Sequence, residues 1–418
     1  MLNSKQEREL CYLVQIDTVE PIEGYDRVEK ARIGGWQCIV AKNAFHAGDY
    51  GVYFEIDSRV PADNPAFAFA KKYNYKIKTQ KMCKTISQGL LMSLNDFVDE
   101  NGEAQPWVVD IKEKIANNIN ILASDDRFLT KTLKVVYAVQ ADNERKNYTP
   151  DKYKTMAQRH PKIFRNIIIR HFMQYKFGRK VLFWLFGKKV KPKNTSFPVG
   201  VFPGVTKTDQ ERCENMPWIL QDKTPYIVTQ KCDGSSGTYI LERKKWNRYE
   251  FYVCSRNVRM LKPTQECFYE DNYYWEVAIK YDLENKMKDY LQKHPDISFV
   301  CWQGEICAPK IQSNPHNLTE THFYAFHFTD SKKGRWDIRE AAKIWATYNI
   351  EVVPIIDENY IFPDDFEEFK LSADGYYDAS VCEGNKKCAR EGFVYYKTSD
   401  PTFSFKNVSR KYLLKHAE

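Results

Sequence analysis

The sequence predicts an α+β chain in three parts: a small closed β-barrel over residues 1–96, a basic helical insert over 97–196, and a mixed α/β domain over 197–418. Three observations carry that reading. Short alternating strands broken by Gly, Pro and Asp run from Leu10 to Leu94. The stretch from Lys152 to Lys207 holds fourteen Lys or Arg and no Asp or Glu. From Phe197 to the end, strand-like and helix-like segments alternate irregularly, which suits an α+β domain.

In the first part, Tyr12–Asp17, Val28–Ile33, Trp36–Ala41, Val52–Ile56 and Gly89–Leu94 read as strands, rich in β-branched and aromatic residues and bounded by turn formers. Short strands at this spacing suit a closed barrel of the OB type. Such barrels bind nucleic-acid strands through aromatic and basic groups. Trp36, Tyr53 and Phe54 are therefore candidate stacking residues, with core packing the competing role for each.

The middle part is apolar and cationic together. Ile111–Leu122 reads as a helix. In Ile163–Phe186, five cations (Arg165, Arg170, Lys176, Arg179 and Lys180) rule out a good membrane span. An amphipathic helix, or two broken near Gly178, fits better. Arg165, Arg170, Lys176 and Lys180 are candidate nucleic-acid contacts. A packing helix with a solvated basic face is one alternative and association with a membrane surface another; no stable membrane association is expected. Lys188-Lys189-Val190-Lys191-Pro192-Lys193 reads as an exposed linker. In the third part, Asn285–Lys293 and Ile338–Tyr348 read as surface helices.

Composition narrows the class. With 43% hydrophobic and 15% aromatic residues over 418 positions, the chain can build more than one core. The net charge is +8, yet outside Lys152–Lys207 there are 49 basic against 55 acidic residues, or −6. Charge gathered in one segment is the footprint of a polyanion-binding surface, or of a solvated basic linker. Eleven scattered cysteines without Cys-x-x-Cys spacing, and a polar, charged start from Met1 to Glu9, point to reduced thiols and an intracellular location. Eight histidines form no ligand cluster, so no structural zinc is expected. His327, inside an aromatic strand, reads as a core histidine.

The chemistry concentrates in the third part. Tyr226 to Gln230 is an apolar strand, Lys231-Cys232-Asp233-Gly234 a tight turn, and Ser235 to Leu241 a second strand. The turn presents a lysine and an aspartate side by side. A lysine amine attacks phosphorus only when unprotonated, so cationic neighbours, a metal or desolvation must lower its pKa. An ordinary hairpin has the same composition, and the downstream residues separate the two. Phe251–Cys254 ends in Ser255-Arg256-Asn257, and Phe299–Gln303 in Gly304-Glu305-Ile306. Phe323–Phe328 is an aromatic strand. Arg390-Glu391-Gly392 opens a run to Lys397, and Phe403-Ser404-Phe405-Lys406 follows. In this order the blocks resemble the six motifs of the covalent nucleotidyltransferases: DNA ligases, RNA ligases and mRNA capping enzymes. Thr206 to Asn215 is similar to the element that precedes the lysine in RNA ligases. Gly48 to Ser58 resembles the Deinococcus-type RNA ligases, in which an OB-fold module precedes the nucleotidyltransferase domain. The likeness covers 1–95 and 197–418. Twelve residues follow Lys406, too few for the C-terminal OB domain of capping enzymes and most DNA ligases.

The resemblance implies an ATP-grasp-like nucleotidyltransferase domain and ATP-dependent sealing of 3′-hydroxyl/5′-phosphate breaks in RNA. The expected partner is a nicked RNA duplex or RNA/DNA hybrid with RNA on the 3′-hydroxyl side. Lys231 would form a lysyl-AMP, pass AMP to the 5′-phosphate, and the 3′-hydroxyl would displace it. The likeness places Mg²⁺ or Mn²⁺ at Asp233, Glu305 and Glu391, as suits a hard cation that takes oxygen ligands. It assigns nucleotide binding to Gln230, Lys231, Arg256, Glu305, Phe326 and Lys406. Lys406 would grip the α-phosphate, and Arg212 would contact pyrophosphate or an RNA phosphate. Phe326 takes the position that stacks on adenine; Tyr324 and Phe328 share its face of the strand, so the role could slip by two. Lys397 is a further phosphate candidate. Many ligases carry a second lysine two residues after the last one; here Val408 stands there, and Arg410 or Lys411 could substitute. A DNA ligase-like enzyme and a catalytically inactive RNA-binding relative stay open. One chain carries every group this chemistry needs, so a monomer is expected.

Overall fold

A computed structural model describes residues 1–4, 7–83, 85–138, 153, 156–157, 160–186, 195–198, 200–260, 262, 272–384 and 387–415. The Cys11–Gln15 strand is buried on both faces, which is why its sequence is almost continuously apolar. Tyr12 and Val14 pack with Trp36, Cys38, Val40 and Tyr53. Cys11 and Leu13 pack the other way, with Phe67, Phe97, Val108 and Ile111. The strand pairs antiparallel with Tyr50–Phe54, which pairs with Leu90–Ser93. Thr18–Ile22, Tyr25–Ile33 and Trp36–Ala41 form an antiparallel meander beside them. Trp36, Tyr53 and Phe54 are at most 2% exposed. None of them offers a ring to a base, because protein covers both faces of the sheet.

The second of these cores also takes in Ile121, Leu129, Leu133 and Val135, and Val136–Tyr137 pairs with Ser58–Arg59. The packing of the first part therefore runs on to Ala138, past residue 96. Its helix is Pro106–Ala116, earlier than Ile111–Leu122. Proline suits the first turn, and Asn118, at φ 55°, ends it in the left-handed region.

In the insert, Pro161–Phe164, Ile167–Met173 and Lys176–Phe186 are helices. Asn166 caps the second by accepting the Ile168 N–H at 2.9 Å. The last break falls at Gln174 and Tyr175, and Gly178 lies inside the third helix. Gly178 serves close packing instead: a Cβ there would stand 2.0 Å from the Phe172 carbonyl oxygen. Phe164 and Leu182, with Met156 and Ala157, make a small core of the insert's own. The stretch Lys188–Lys193 lies outside the described residues. Among the described residues no helix is long and apolar enough to cross a membrane.

The rest is built on two sheets. Seven strands run in the order Thr195–Ser196, Val258–Met260, Tyr249–Cys254, Ser235–Arg243, Phe299–Cys307, His322–Asp330, Gly334–Arg335. The helices Tyr273–Lys280, Leu283–Lys293 and Ile338–Thr347 cover one face through Trp275, Met287, Leu291 and Trp345. Five strands make the second sheet: Glu211–Arg212, Asp400–Val408, Gly392–Lys397, Tyr226–Lys231, Ile355–Tyr360. Tyr226, Val228, Phe393, Tyr395 and Phe405 pack its outer face on Phe362 and Phe369. Burying each such ring contributes ~1.5–3 kcal/mol. Ile227, Val394 and Tyr396 point the other way and meet Tyr324 and Val353, so a core lies between the sheets. Alternation along the strand puts Lys231 on that inner side with Ile227.

Candidate active site

Tyr226–Lys231 and Ser235–Arg243 do not pair with each other. The turn between them steps from the five-stranded sheet to the seven-stranded one, so it is a crossover and not a hairpin. Gly234 lets it lie against Phe299–Cys307: a Cβ there would stand 2.3 Å from the Ile306 carbonyl oxygen. Gly234→Ala is therefore expected to lift the turn and cut covalent nucleotide capture by about a hundredfold. Labelling at the wild-type rate would refute this.

The turn faces a cavity of about 710 Å³, with Arg8, Asp57 and Lys76 of the barrel in its wall. Such a volume suits a nucleotide. Lys231 Nζ lies 2.7 Å from Glu391 Oε1. The register explains it: Lys231 is opposite Gly392, which brings Glu391 alongside. Glu305 enters from the other sheet, opposite Ser236. Asp233 comes from the turn, and all four side chains share the cavity wall. Burial opposes a charge on Lys231, but Glu391, Glu305 and Asp233 outweigh it and push its pKa up. Burial, reinforced by the neighbouring carboxylates against the pull of Lys231, lifts Glu305 to about 8. Burial and Glu391 raise Asp233 as well.

Among the described residues, no three His, Cys, Asp or Glu side chains are grouped to hold a metal ion. Competing partners explain this. Lys231 takes Glu391 Oε1, and the Tyr412 hydroxyl donates to Asp233 Oδ2. Glu391 Oε2 is buried without a hydrogen-bond partner.

The backbone of the turn is held too. The Asp233 N–H donates to His316 Nε2 at 3.1 Å, while His316 Nδ1 lies 2.9 Å from the Val381 carbonyl. One ring nitrogen accepts and the other donates, which fixes a neutral imidazole in one tautomer. Burial holds its pKa down at about 4. The reading of the sequence missed both groups. His316 lies 83 residues and Tyr412 179 residues from Asp233, and neither sits in a recognisable pattern.

Four cations converge from both domains. Arg212 Nη2 lies 2.9 Å from Asp57, with its guanidinium 5.8 Å from the Trp36 ring centre. Arg256 pairs with Asp209. Lys406 stands opposite Val394 and beside Arg212 in the sheet. Burial first, then Arg8 and Arg212, holds the Lys406 pKa down to about 7. Arg8 is the fourth, and no motif flagged it; Lys76 and Lys78 line the cavity as well.

A β-bulge places the aromatic group. Gln303 pairs with His327 and Gly304 with Ala325, so Phe326 is an extra residue in its strand. The bulge leaves Tyr324 on the inter-sheet side with Phe326 and turns Phe328 into the helix-covered core. Phe328 therefore does not share the face of Phe326. Tyr324 is buried beneath, and Phe326 alone of the three lines the cavity.

Other expectations are corrected or refined. Gln230 is buried, with its amide on the Gly392 carbonyl at 2.9 Å, so it ties two strands together at the cavity wall. Lys397 is held by Asp222 at 2.7 Å, away from the cavity. Arg410 pairs with Glu367, and Lys411 is exposed; neither lines the cavity, so neither replaces the missing second lysine there. Arg165, Arg170, Lys176 and Lys180 are exposed and do not line the cavity. His327 is a core residue, 3.3 Å from Gln303 Oε1.

Residues 10–94 match a family model described as an OB-fold domain, and residues 224–413 match the RNA ligase family model. No curated protein matches the chain. Among solved structures, a point mutant of a Naegleria gruberi RNA ligase with ATP and Mn is 25% identical at a TM-score of 0.68, covering 98% of this chain and 100% of that one. A point mutant of the same ligase with AMP and Mn is 25% identical at 0.66, covering 98% and 99%. The Naegleria gruberi RNA ligase with PPi matches with the same four values. The chain thus has an N-terminal OB-fold domain followed by an α+β ligase domain, and these likenesses support an RNA ligase.

Proposed function

We propose that this chain is an ATP-dependent RNA ligase of the Deinococcus type, sealing 3′-hydroxyl/5′-phosphate nicks in duplexes with RNA on the 3′-hydroxyl side. The observation that supports it is the convergence of Lys231, Asp233, Glu305, Phe326, Glu391 and Lys406 on one cavity from two sheets. The similar Naegleria gruberi structures hold ATP or AMP with Mn. The same pairing, ATP with Mg²⁺ or Mn²⁺, is proposed here.

In the first step the Lys231 amine forms a bond to the α-phosphorus of ATP, and the bond to pyrophosphate breaks, leaving lysyl-AMP. The ammonium must first shed a proton, and Glu391 Oε1, 2.7 Å away, is the acceptor at hand. Phe326 offers its ring face to adenine. Arg256 reaches the ribose or the activated phosphate. Lys406 meets the charge that gathers on the α-phosphoryl oxygens. Arg212, with Nε and Nη1 lacking partners, turns them toward pyrophosphate or an RNA phosphate. AMP then passes to the 5′-phosphate and Lys231 regains its amine. Last, the 3′-hydroxyl forms the phosphodiester and AMP leaves.

A divalent cation suits this donor set. Glu391 Oε2 is buried and unpartnered, and Glu305 is pushed up to about 8 where acids crowd one lysine. Asp233, Glu305 and Glu391 would hold the ion, through water where they do not reach it. Its charge, when bound, offsets the carboxylates and loosens their hold on the Lys231 proton.

Incubation with α-labelled ATP and Mg²⁺ should leave label on the chain, and nicks with an RNA 3′-hydroxyl strand should seal faster than those with DNA. Absence of retained label defeats the enzyme reading in favour of an inactive RNA-binding relative. Equal sealing of both strands defeats the RNA assignment in favour of a DNA ligase-like enzyme.

Lys406 adds a pH test. Its pKa of about 7 rises again when a phosphate binds beside it, so binding takes up a proton. Pyrophosphate affinity, measured calorimetrically with chelator present, should hold steady below about pH 7 and fall up to tenfold per pH unit above it. Lys406→Met should flatten that slope; an unchanged slope would refute the assignment.

A further inference from the structure

The insert presents a surface that the ligase reading does not use. Pro161–Phe164, Ile167–Met173 and Lys176–Phe186 fold onto Phe164 and Leu182, yet large apolar side chains remain outside that core. Ile167 is 81% exposed, Ile168 74%, Phe177 72%, and Trp184 83%. Phe177, Lys180 and Trp184 stand at i, i+3 and i+7, on one face of Lys176–Phe186. Ile168 and Phe172 stand at i and i+4 on the preceding helix. Exposed cations are interspersed: Arg165, Arg170, Lys176 and Lys180. No acidic residue occurs from Lys152 to Lys207.

We propose that the Ile167–Phe186 surface docks on an anionic lipid bilayer. Two chemistries must be met at once, and the aliphatic one decides between partners. A nucleic-acid strand would use the cations and stack on Phe177 and Trp184, but it offers nothing to Ile167, Ile168 and Leu185. At a bilayer surface the aliphatic and aromatic groups enter the acyl boundary, lysine and arginine stems lie along it, and their heads meet lipid phosphates. The contact lies in the interface plane and needs no spanning helix, in keeping with the absence of one among the described residues. It goes against the absence of stable membrane association expected from the sequence.

The test is co-sedimentation of the full chain with phosphatidylcholine vesicles, with and without phosphatidylserine. The chain should pellet with the anionic vesicles and stay largely in solution with the neutral ones. A triple variant, Ile168→Ser, Phe177→Ser and Trp184→Ser, should weaken that binding by about tenfold or more, while nicked-RNA affinity and ATP labelling stay at wild-type levels. Those two controls also show that the variant is folded. The proposal is overturned if the chain pellets with neither vesicle. It is overturned equally if the triple variant binds vesicles as before, or if it loses RNA affinity in place of lipid, which would make the surface an RNA contact. Loss of a self-associated species without any vesicle binding would make it an interface between copies, and would also overturn it.

Discussion

Lys231→Ala is expected to abolish covalent labelling by ATP, lowering it by at least ~10³-fold, because Lys231 is the amine proposed to form the bond to phosphorus. Lys231→Arg is the informative companion. It keeps a cation beside Glu391 Oε1, now 2.7 Å from the lysine, but a guanidinium does not lose its proton to become a nucleophile. Both variants should be dark in the labelling assay, which separates nucleophilicity from charge. Sealing of a nick whose 5′ end already carries AMP should persist at a measurable rate in Lys231→Arg, since Lys231 forms no bond in the last step. Label retained on either variant would move the nucleophile elsewhere and remove the basis of the proposed reaction.

The largest effect on stability should come from a residue outside the cavity. Lys370 and Glu214 are an ion pair at 2.7 Å with both side chains fully buried. Lys370 also donates to Asn407 Oδ1 at 2.8 Å and to the Val408 carbonyl at 3.1 Å. One ammonium thus joins the segment before the Lys231 strand to the strand that carries Lys406. Burial disfavours a charged Glu214, but Lys370 and Arg212 outweigh it and hold its pKa down. Lys370→Met strands that carboxylate in the interior at a cost of ~3–5 kcal/mol. Where whole-domain stability is ~5–15 kcal/mol, this is a large fraction. Urea unfolding should shift to a lower midpoint, with loss of amide protection along Asp400–Val408. Adding Glu214→Gln should recover part of the loss, the sign of a coupled pair. A midpoint that does not move would show that the pair is not needed.

The barrel strands were legible because their alternation is regular and their turns are bounded by Gly, Pro and Asp. Thr18–Ile22 was not, since Pro21 and a mostly half-exposed pattern disguise it. At the site, Lys231, Asp233, Glu305, Glu391 and Lys406 could be read because each lies in or directly flanks an apolar strand. The bulge that turns Phe328 away from Phe326 left no trace in composition, because one added residue changes the face without changing the residue types. His316, Tyr412 and Arg8 were invisible for another reason: their roles depend on contacts made across long stretches of chain, which local pattern does not encode. The basic insert showed its charge in the sequence but not which of its apolar residues would stay outside its small core.

The crossover at Lys231–Gly234 makes the candidate active site a two-leaved book. One leaf carries Lys231, its carboxylate partner Glu391, and Lys406, proposed to grip the α-phosphate; the other carries Glu305 and Phe326, proposed to stack on adenine. Tilting one leaf against the other leaves Lys231 and Glu391 in step while changing how far the base pocket stands from the reacting phosphorus. On the proposed reaction, such a tilt would let the site alternate between holding a mononucleotide and handing it to a polymer end without disturbing the setting of Lys231.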